Sequence, residues 1–186
     1  MTEVQPTLTP EEGREALVLA RQSLERWVRT GERLTHTGPW SGGLATPCGA
    51  FVTIHTADGA LRGCIGHMIG EGPLGDLIIE LGVSAGTKDP RFRPVTAGEL
   101  PGLSYEISVL SPMQRTLAED VRPGVHGLLI RKGQYSGVLL PQVATEWGWD
   151  REQFLGETCR KAGLPKDAWR EDETQILTFT AQVFSE

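Results

Sequence analysis

The 186-residue sequence has few cysteines, no long apolar run and no excess of positive charge. Its three cysteines are odd in number and far apart, which fits a reducing cytosol better than a disulfide-bonded framework. No apolar run approaches the length needed to span a membrane, and residues 1–6 lack the order of a signal peptide. The net charge of -6 argues against general binding to nucleic acid or anionic membranes. We therefore expect a cytoplasmic globular protein.

The sequence also lacks the short motifs that mark common catalytic and cofactor sites. It has no G-x-x-x-x-G-K-[ST] phosphate loop, no G-x-S-x-G nucleophile elbow and no G-x-G-x-x-G dinucleotide fingerprint. The cysteines and the four histidines show neither C-x-x-C nor H-x-x-x-H spacing, so no local metal site is predicted. The residues identify no cofactor.

The hydrophobic pattern predicts helices dispersed among β-hairpins. A capping box from Thr9 to Glu12 and a stop at Gly31 delimit the first helix. Without regular βαβ repeats, this order predicts an α+β fold with a mostly antiparallel β-sheet and flanking helices. Residues 1–8 are expected to form a flexible tail and residues 9–186 a single domain. Further helices are predicted over residues 73–86, 141–147 and 151–162, and strands over residues 49–56, 61–66, 103–110, 127–131, 135–140 and 174–184.

The first hairpin carries the most distinctive stretch, Leu61-Arg62-Gly63-Cys64-Ile65-Gly66. Asp58-Gly59 is typical of a two-residue turn, and a two-residue turn fixes the pairing of the two strands. One face of the hairpin should then be core and the other polar. The core face would carry Val52, Ile54, Leu61 and Ile65, and the polar face Thr53, His55, Arg62 and Cys64. The predicted pairs are Thr56–Leu61, His55–Arg62, Ile54–Gly63, Thr53–Cys64 and Val52–Ile65.

Two interpretations of Cys64 remain open. As a nucleophile, it would be assisted by Arg62 on the same face and by His55 or His67 nearby, since neighbouring cations favour the thiolate. As a structural residue, it would only fill space beneath the sheet. Gly63 and Gly66 would leave room for the close approach of a ligand or of other backbone.

Arg62 needs a carboxylate or a bound anion, because a guanidinium in what we expect to be a central strand is costly to leave unpaired. Glu106, on the polar face of its own strand, is the natural candidate. The two residues would either form a structural ion pair or bracket a ligand, with Glu106 as its acid or base.

Two further residues are candidate ligand contacts. Arg91, in the loop after the second helix, could face an anionic ligand, or it could satisfy the loop together with Asp89. His126 precedes a strand, where a surface role competes with a role in binding.

These stretches, taken together, resemble the AMMECR domain family, known in prokaryotes as AmmeMemoRadiSam system protein A. The resemblance extends from about residue 10 to 184, and several separated motifs agree in order. The motifs are Leu61-Arg-Gly-Cys-Ile-Gly66, Gly49-Ala-Phe-Val-Thr-Ile54, Asp89-Pro-Arg-Phe92, Glu106-Ile-Ser-Val-Leu110, His126-Gly-Leu-Leu-Ile130, Leu139-Leu-Pro-Gln-Val143 and Glu157-Thr-Cys-Arg-Lys-Ala-Gly-Leu164.

The resemblance implies an α+β domain with a larger and a smaller lobe around a cleft near Cys64. It also implies partners, a Memo-like protein and a radical S-adenosylmethionine protein, but no settled reaction and no cofactor. Two functions follow. One is an enzyme component that binds a small anionic or carbonyl ligand, with Cys64 as nucleophile. The other is a non-catalytic domain that binds a protein partner or a nucleotide through the same cleft.

Overall fold

A computed structural model describes residues 8–186, which form four α-helices and eight β-strands. This mixture of helices and antiparallel strand pairs confirms the predicted α+β fold. No helix among these residues is long and apolar enough to cross a membrane. The helices are α1 (Pro10–Thr30), α2 (Leu74–Thr87), α3 (Pro141–Glu146) and α4 (Arg151–Lys161). The strands are β1 (Ala50–His55), β2 (Leu61–His67), β3 (Ser104–Leu110), β4 (Gln114–Arg115), β5 (Gly127–Lys132), β6 (Tyr135–Leu139), β7 (Gln175–Phe179) and β8 (Ala181–Ser185).

The chain divides into two compact units, each with a four-stranded sheet and a hydrophobic core. The first unit runs through Ser111 and includes Gln182–Glu186, and the second is Pro112–Ala181. The predicted flexible tail lies outside the described residues except for Leu8. Leu8 is 1% exposed, and its backbone N–H and C=O groups bond to the side chain of Gln182 at 3.1 and 2.7 Å. Leu8 therefore belongs to the folded first unit.

The ends of α1 are as predicted. The Thr9 hydroxyl accepts the Glu12 backbone N–H, and the Glu12 carboxylate accepts the Thr9 backbone N–H, which forms a complete capping box. Gly31 ends the helix in the left-handed conformation with φ 73°. One stripe of α1 then packs on the first sheet and on α2. Its buried apolar residues are Ala16, Leu17, Ala20 and Leu24.

The first sheet has the strand order β2-β1-β3-β8. β1 lies in the interior of this sheet and pairs antiparallel with β2 and with β3. Alternate residues of β1 and β3 are buried, so this face forms the core with α1 and α2. The opposite face is half-buried and polar. The core residues of these two strands include Val52, Ile54, Tyr105, Ile107 and Val109.

The turn between β1 and β2 differs from the predicted two-residue loop. The Gly59 N–H donates to the Thr56 carbonyl at 2.8 Å, and the Thr56 N–H donates to the Ala60 carbonyl at 2.9 Å. The loop thus contains three residues, and only Gly59 has a positive φ, 82°. This geometry is a type I turn followed by a left-handed glycine, which needs only one residue with positive φ. Gly59 is that residue, so Asp58 does not need a positive φ, as it would in the predicted two-residue turn.

A β-bulge in β2 compensates for the longer turn. His55 faces Leu61 rather than Arg62, so that predicted pair is wrong, and Arg62 is the additional residue. Leu61 precedes the bulge and therefore does not lie on the core face. It is 38% exposed, so its predicted burial is wrong. The predicted pairs beyond the bulge, Ile54–Gly63, Thr53–Cys64 and Val52–Ile65, are confirmed.

The second unit contains a sheet with the strand order β4-β7-β5-β6. The predicted hairpin between β5 and β6 forms, with Gly133 at φ 57° in its turn. α4 begins with a capping box between Asp150 and Gln153, and Gly163 follows its end at φ 78°. α4 packs on β5 and β6, and its buried Phe154 and Cys159 enter the core of this unit.

The predicted strand over residues 174–184 is instead two strands. β7 ends at Phe179 and pairs with β5, whereas β8 begins at Ala181 and lies beside β3 in the first sheet. No glycine or proline stands at the join, and the apolar residues continue through it. The sequence therefore gives no turn signal at the point where the chain changes sheets.

Gly63 is one of the two positions in β2 where a side chain has no space. A Cβ atom there would collide with the backbone carbonyl oxygen of Ala85 in α2. Since backbone cannot move aside cheaply, we expect Gly63→Ala to lower the free energy of unfolding by about 2 kcal/mol or more in urea denaturation. Gly72→Ala is the matched control, because nothing lies within 4 Å of its Cβ position. Equal stability of the two variants would contradict this packing.

Candidate functional site

A row of three side chains crosses the half-buried polar face of the first sheet. Thr53 in β1 lies opposite Cys64 in β2 and opposite Glu106 in β3. All three residues are partly exposed, while the residues before and after them in β1 and β3 are buried in the core. The strand register therefore brings a thiol, a hydroxyl and a carboxylate onto one accessible surface.

The Cys64 thiol differs from the other two cysteines in its surroundings. The Thr53 hydroxyl donates a hydrogen bond to the Cys64 sulfur at 3.3 Å, and Cys64 is partly exposed. Cys48 and Cys159 are both buried. Burial raises the pKa of the Cys48 thiol to about 11, and burial is also the main cause that raises the pKa of Cys159. Cys64 is thus the thiol available for chemistry in this chain.

Asp89 holds the outer edge of β2. Its buried carboxylate accepts the backbone N–H of Cys64 at 2.9 Å. The same carboxylate accepts two bonds from the Arg91 guanidinium, Nε to Oδ1 at 2.9 Å and Nη2 to Oδ2 at 2.7 Å. These bonds from Arg91 are the main reason that the pKa of Asp89 lies far below its usual value. The expectation that Asp89 and Arg91 satisfy the loop agrees with this arrangement.

Arg91 has a second neighbour, the Cys64 thiol. The pKa of Arg91 is raised chiefly by the bond to Asp89 and in smaller part by its electrostatic interaction with Cys64. The Arg91 side chain is 56% exposed, and Asp89 uses only its Nε and Nη2 groups. The rest of the guanidinium is open to solvent.

Arg62 forms an ion pair with Glu99, not with Glu106. Its Nε donates to Glu99 Oε1 at 2.8 Å, and its Nη1 donates to the Arg93 carbonyl at 2.9 Å. The Arg62 bond is the main cause that lowers the pKa of Glu99 to about 2. The proposed Arg62–Glu106 ion pair therefore does not form, because the bulge turns Arg62 toward the loop that contains Glu99.

Sequence reasoning missed the part played by Glu99, although a signal was present. Thr96-x-x-Glu99 has the spacing of a capping box. Glu99 Oε2 accepts both the backbone N–H and the hydroxyl of Thr96, each at 2.8 Å, so this carboxylate is fixed before it meets Arg62. Phe92 lies beside this group, with its ring centroid 6.0 Å from the Arg62 guanidinium carbon and 5.5 Å from that of Arg91.

Glu106 and His55 complete the polar face. The Glu106 side chain makes no hydrogen bond or ion pair with any of residues 8–186, so its carboxylate is free to contact a ligand. His55 lies opposite Ser104 of β3 at the end of β1, two residues from Thr53 and on the same face.

The space beside the two glycines of β2 is filled by the protein. The Ala85 carbonyl approaches Gly63, and the Phe51 ring lies against Gly66. Of the two alternatives for these glycines, close approach of other parts of the chain is the one observed. They shape the hairpin that carries the thiol.

His126 belongs to the second unit. Its Nδ1 accepts the Arg122 backbone N–H at 3.2 Å, which closes the turn before β5. Burial is the main cause that lowers its pKa, so the neutral imidazole is favoured. A part for His126 in ligand binding stays a prediction. Across residues 8–186, no three His, Cys, Asp or Glu side chains are grouped so that they could hold a metal ion.

Comparisons with known proteins all lead to one family. The AMMECR1 family model matches residues 17–184. A protein of Methanothermobacter thermautotrophicus is 42% identical over 186 residues, which cover 96% of each chain. Protein PF1979 of Pyrococcus furiosus is 41% identical over 178 residues, 90% of this chain and 85% of that one. The crystal structure of protein PH0010 from Pyrococcus horikoshii superposes with a TM-score of 0.83 at 39% identity, covering 97% of this chain and 94% of that one.

The buried Asp89 carboxylate predicts a pH-dependent loss of stability. We expect Asp89→Asn to lower the free energy of unfolding at pH 7 by roughly 2–3 kcal/mol, because charged hydrogen bonds to Arg91 and Cys64 are weakened. The folded pKa is below the ordinary 3.8, so this stabilisation is complete above about pH 5 and is lost as the pH falls below 3.8.

Urea denaturation of both proteins over a pH series measures this difference. The gap between the wild type and Asp89→Asn should narrow steadily in acid. Glu80→Gln, which removes an exposed carboxylate of α2, is the control and should change stability little at any pH. A gap that stays constant from pH 7 to pH 3 would show that Asp89 acts by packing rather than by charge.

Proposed function

Because the chain belongs to the AMMECR1 family, we propose that it is the thiol-bearing component of a modification system. Its substrate would be a small carbonyl compound with an anionic group, bound on the polar face of the first sheet. The observation that carries this proposal is Cys64, a partly exposed residue whose sulfur accepts the Thr53 hydroxyl and which interacts electrostatically with the half-exposed Arg91 side chain.

The proposed step is addition of the Cys64 sulfur to the substrate carbonyl carbon. The sulfur–carbon bond forms as the carbonyl π bond breaks, and that electron pair moves to the carbonyl oxygen. The Thr53 hydroxyl donates to the sulfur, Glu106 in the same row takes the thiol proton through solvent, and the carbonyl oxygen takes a proton from solvent. Arg91 holds the anionic group of the substrate with the part of its guanidinium that Asp89 leaves open. His55, at the end of the row, would contact the substrate.

Association with other proteins is the second half of the proposal. The family resemblance supports a Memo-like protein and a radical S-adenosylmethionine protein as partners of this chain. A covalently held carbonyl compound on Cys64 would be what such partners deliver or receive. No nucleic acid is needed for this function, and the acidic net charge of -6 supports that restriction.

A second candidate function, a non-catalytic adaptor, is favoured by one specific observation. Both arginines of the site already have carboxylate partners, Arg62 in Glu99 and Arg91 in Asp89. Guanidinium groups that are paired within the chain shape a surface rather than bind an anion. On this view the polar face binds a protein partner, and the thiol takes no part.

Alkylation kinetics test the thiol site. We expect iodoacetamide to modify Cys64 in the folded protein about 100-fold faster than Cys48 or Cys159, because the latter two react only after local opening. We also compare the ratio of the alkylation rate with anionic iodoacetate to the rate with neutral iodoacetamide. This ratio should be about threefold higher at Cys64 than at free cysteine, because Arg91 attracts the anion. Peptide mass spectrometry after timed quenching measures each rate.

Two arginine variants of the same loop distinguish a specific effect of Arg91 on iodoacetate from a general effect of positive charge near Cys64. Arg91→Ala should remove the preference for iodoacetate, whereas Arg93→Ala, which keeps the backbone carbonyl bonded to Arg62, should retain it. Thr53→Val should slow alkylation by both reagents, since it removes the hydrogen bond to the sulfur. A Cys64 that reacts only in unfolded protein would end the thiol proposal and leave the adaptor.

The adaptor function makes the opposite prediction for partner binding. Co-elution of the chain with the Memo-like protein of the same organism in size-exclusion chromatography should survive Cys64→Ser. It should weaken in Arg62→Ala, because loss of the Glu99 pair loosens the surface around β2. Binding that is lost in Cys64→Ser but kept in Arg62→Ala would favour the thiol function instead.

A further inference from the structure

α1 and α2 pack side by side and advance in the same direction. A side chain on Gly82 would meet Ala20 and Ser23, and one on Gly86 would meet Leu24, so the two helices touch closely along small residues of α2. Positions later in α2 thus contact positions later in α1. The C-terminal ends of both helices therefore lie at the same end of the pair.

The segment after α1, residues 31–41, returns along α2 toward its N-terminus. Trp40 packs where Gly75 has no side chain, and its indole Nε1 donates to Asp76 Oδ1 at 2.9 Å. The His36 ring stacks on Trp40 with centroids 3.6 Å apart. These contacts fix the far end of the segment to the first turn of α2. The segment begins at the opposite end of α2, where α1 ends.

A cavity of about 360 Å³ remains between this segment and α2. This volume lies in the range of small-molecule sites, which are mainly apolar with a few placed polar groups. All of its lining belongs to the first unit, and it shares no residue with the Cys64 face. The apolar part of the lining is Trp27, Leu34, Ile79 and Val83.

The charged groups that line the cavity are sorted by sign. Arg33 and Lys88 lie toward the end where α1 and α2 finish, whereas Asp76 lies in the first turn of α2 and Glu80 at its middle. Asp76 bonds to Trp40 through one oxygen. Within residues 8–186, the side chains of Arg33, Lys88 and Glu80 make no hydrogen bond or ion pair. Both ends of the cavity therefore carry charge that the protein itself does not neutralise.

We propose that this cavity binds a small elongated zwitterion with an apolar body. Its carboxylate would contact Arg33 and Lys88, its ammonium group would contact Glu80 and Asp76, and its apolar part would lie against Trp27. The eight positions from Glu80 to Lys88 correspond to a backbone rise of about 12 Å, so an elongated ligand fits better than a compact one. This ligand site is additional to the thiol site and does not depend on it.

ω-Amino acids of graded length are the probes, since each has an ammonium group, a polymethylene body and a carboxylate. Binding is followed by NMR through the indole N–H signals of Trp27 and Trp40 in the full chain. We expect aminocaprylic acid to bind more tightly than the shorter aminocaproic acid. We also expect it to bind about fivefold more tightly than caprylic acid or octylamine, each of which lacks one charge.

Charge variants assign the two ends of the ligand. Arg33→Ala and Lys88→Ala should each weaken the binding of aminocaprylic acid about threefold and leave the binding of octylamine unchanged. Glu80→Gln should weaken the binding of octylamine and leave the binding of caprylic acid unchanged. Arg29→Ala, which removes the same charge from a residue of α1 that does not line the cavity, should have no effect. Equal effects of Arg29→Ala and Arg33→Ala, or no binding by any ω-amino acid, would overturn the proposal.

Discussion

The Asp89 carboxylate is the interaction on which the region around Cys64 depends. β2 is an edge strand, and the outward N–H of Cys64 needs an acceptor away from water. Asp89 supplies it, but a buried carboxylate is itself costly unless it is paired, which is why Arg91 follows two residues later. The loop after α2 therefore has little freedom. Asp89 holds the strand, and Arg91 neutralises Asp89.

The same constraint separates the two kinds of polar residue in the site. Arg62, Asp89 and Glu99 use their charges within the protein, and each has the contacts that a buried or half-buried charge requires. Cys64, Thr53 and Glu106 lie in one row on the accessible face, and Glu106 has no partner within the described chain. The paired charges hold β2 in place, and the row beside them is what a ligand or a partner would meet. Under the proposed function, the row would contact the ligand, and the paired charges would position the strand.

Local signals in the sequence predicted the elements well, and non-local contacts were predicted poorly. The capping box at Thr9 and the left-handed glycines after α1 and α4 depend on neighbouring residues, so a short window contains all of the information. The partner of Arg62 lies 37 positions away, and its choice depends on a bulge that the Asp58-Gly59 pattern does not reveal. The pairs from Ile54–Gly63 onward were still correct, because turn and bulge shift the register in opposite directions.

α2 connects the thiol site to the cavity beneath the segment after α1. On one side, its Ala85 carbonyl contacts Gly63 so closely that a Cβ atom could not fit between them. On another side, Val83 and Ser84 line the cavity. Consecutive residues of one helix thus form a wall of the cavity and the support of β2. Since a packed helix moves as a rigid body, any shift of α2 on ligand binding would press directly on the strand that carries Cys64.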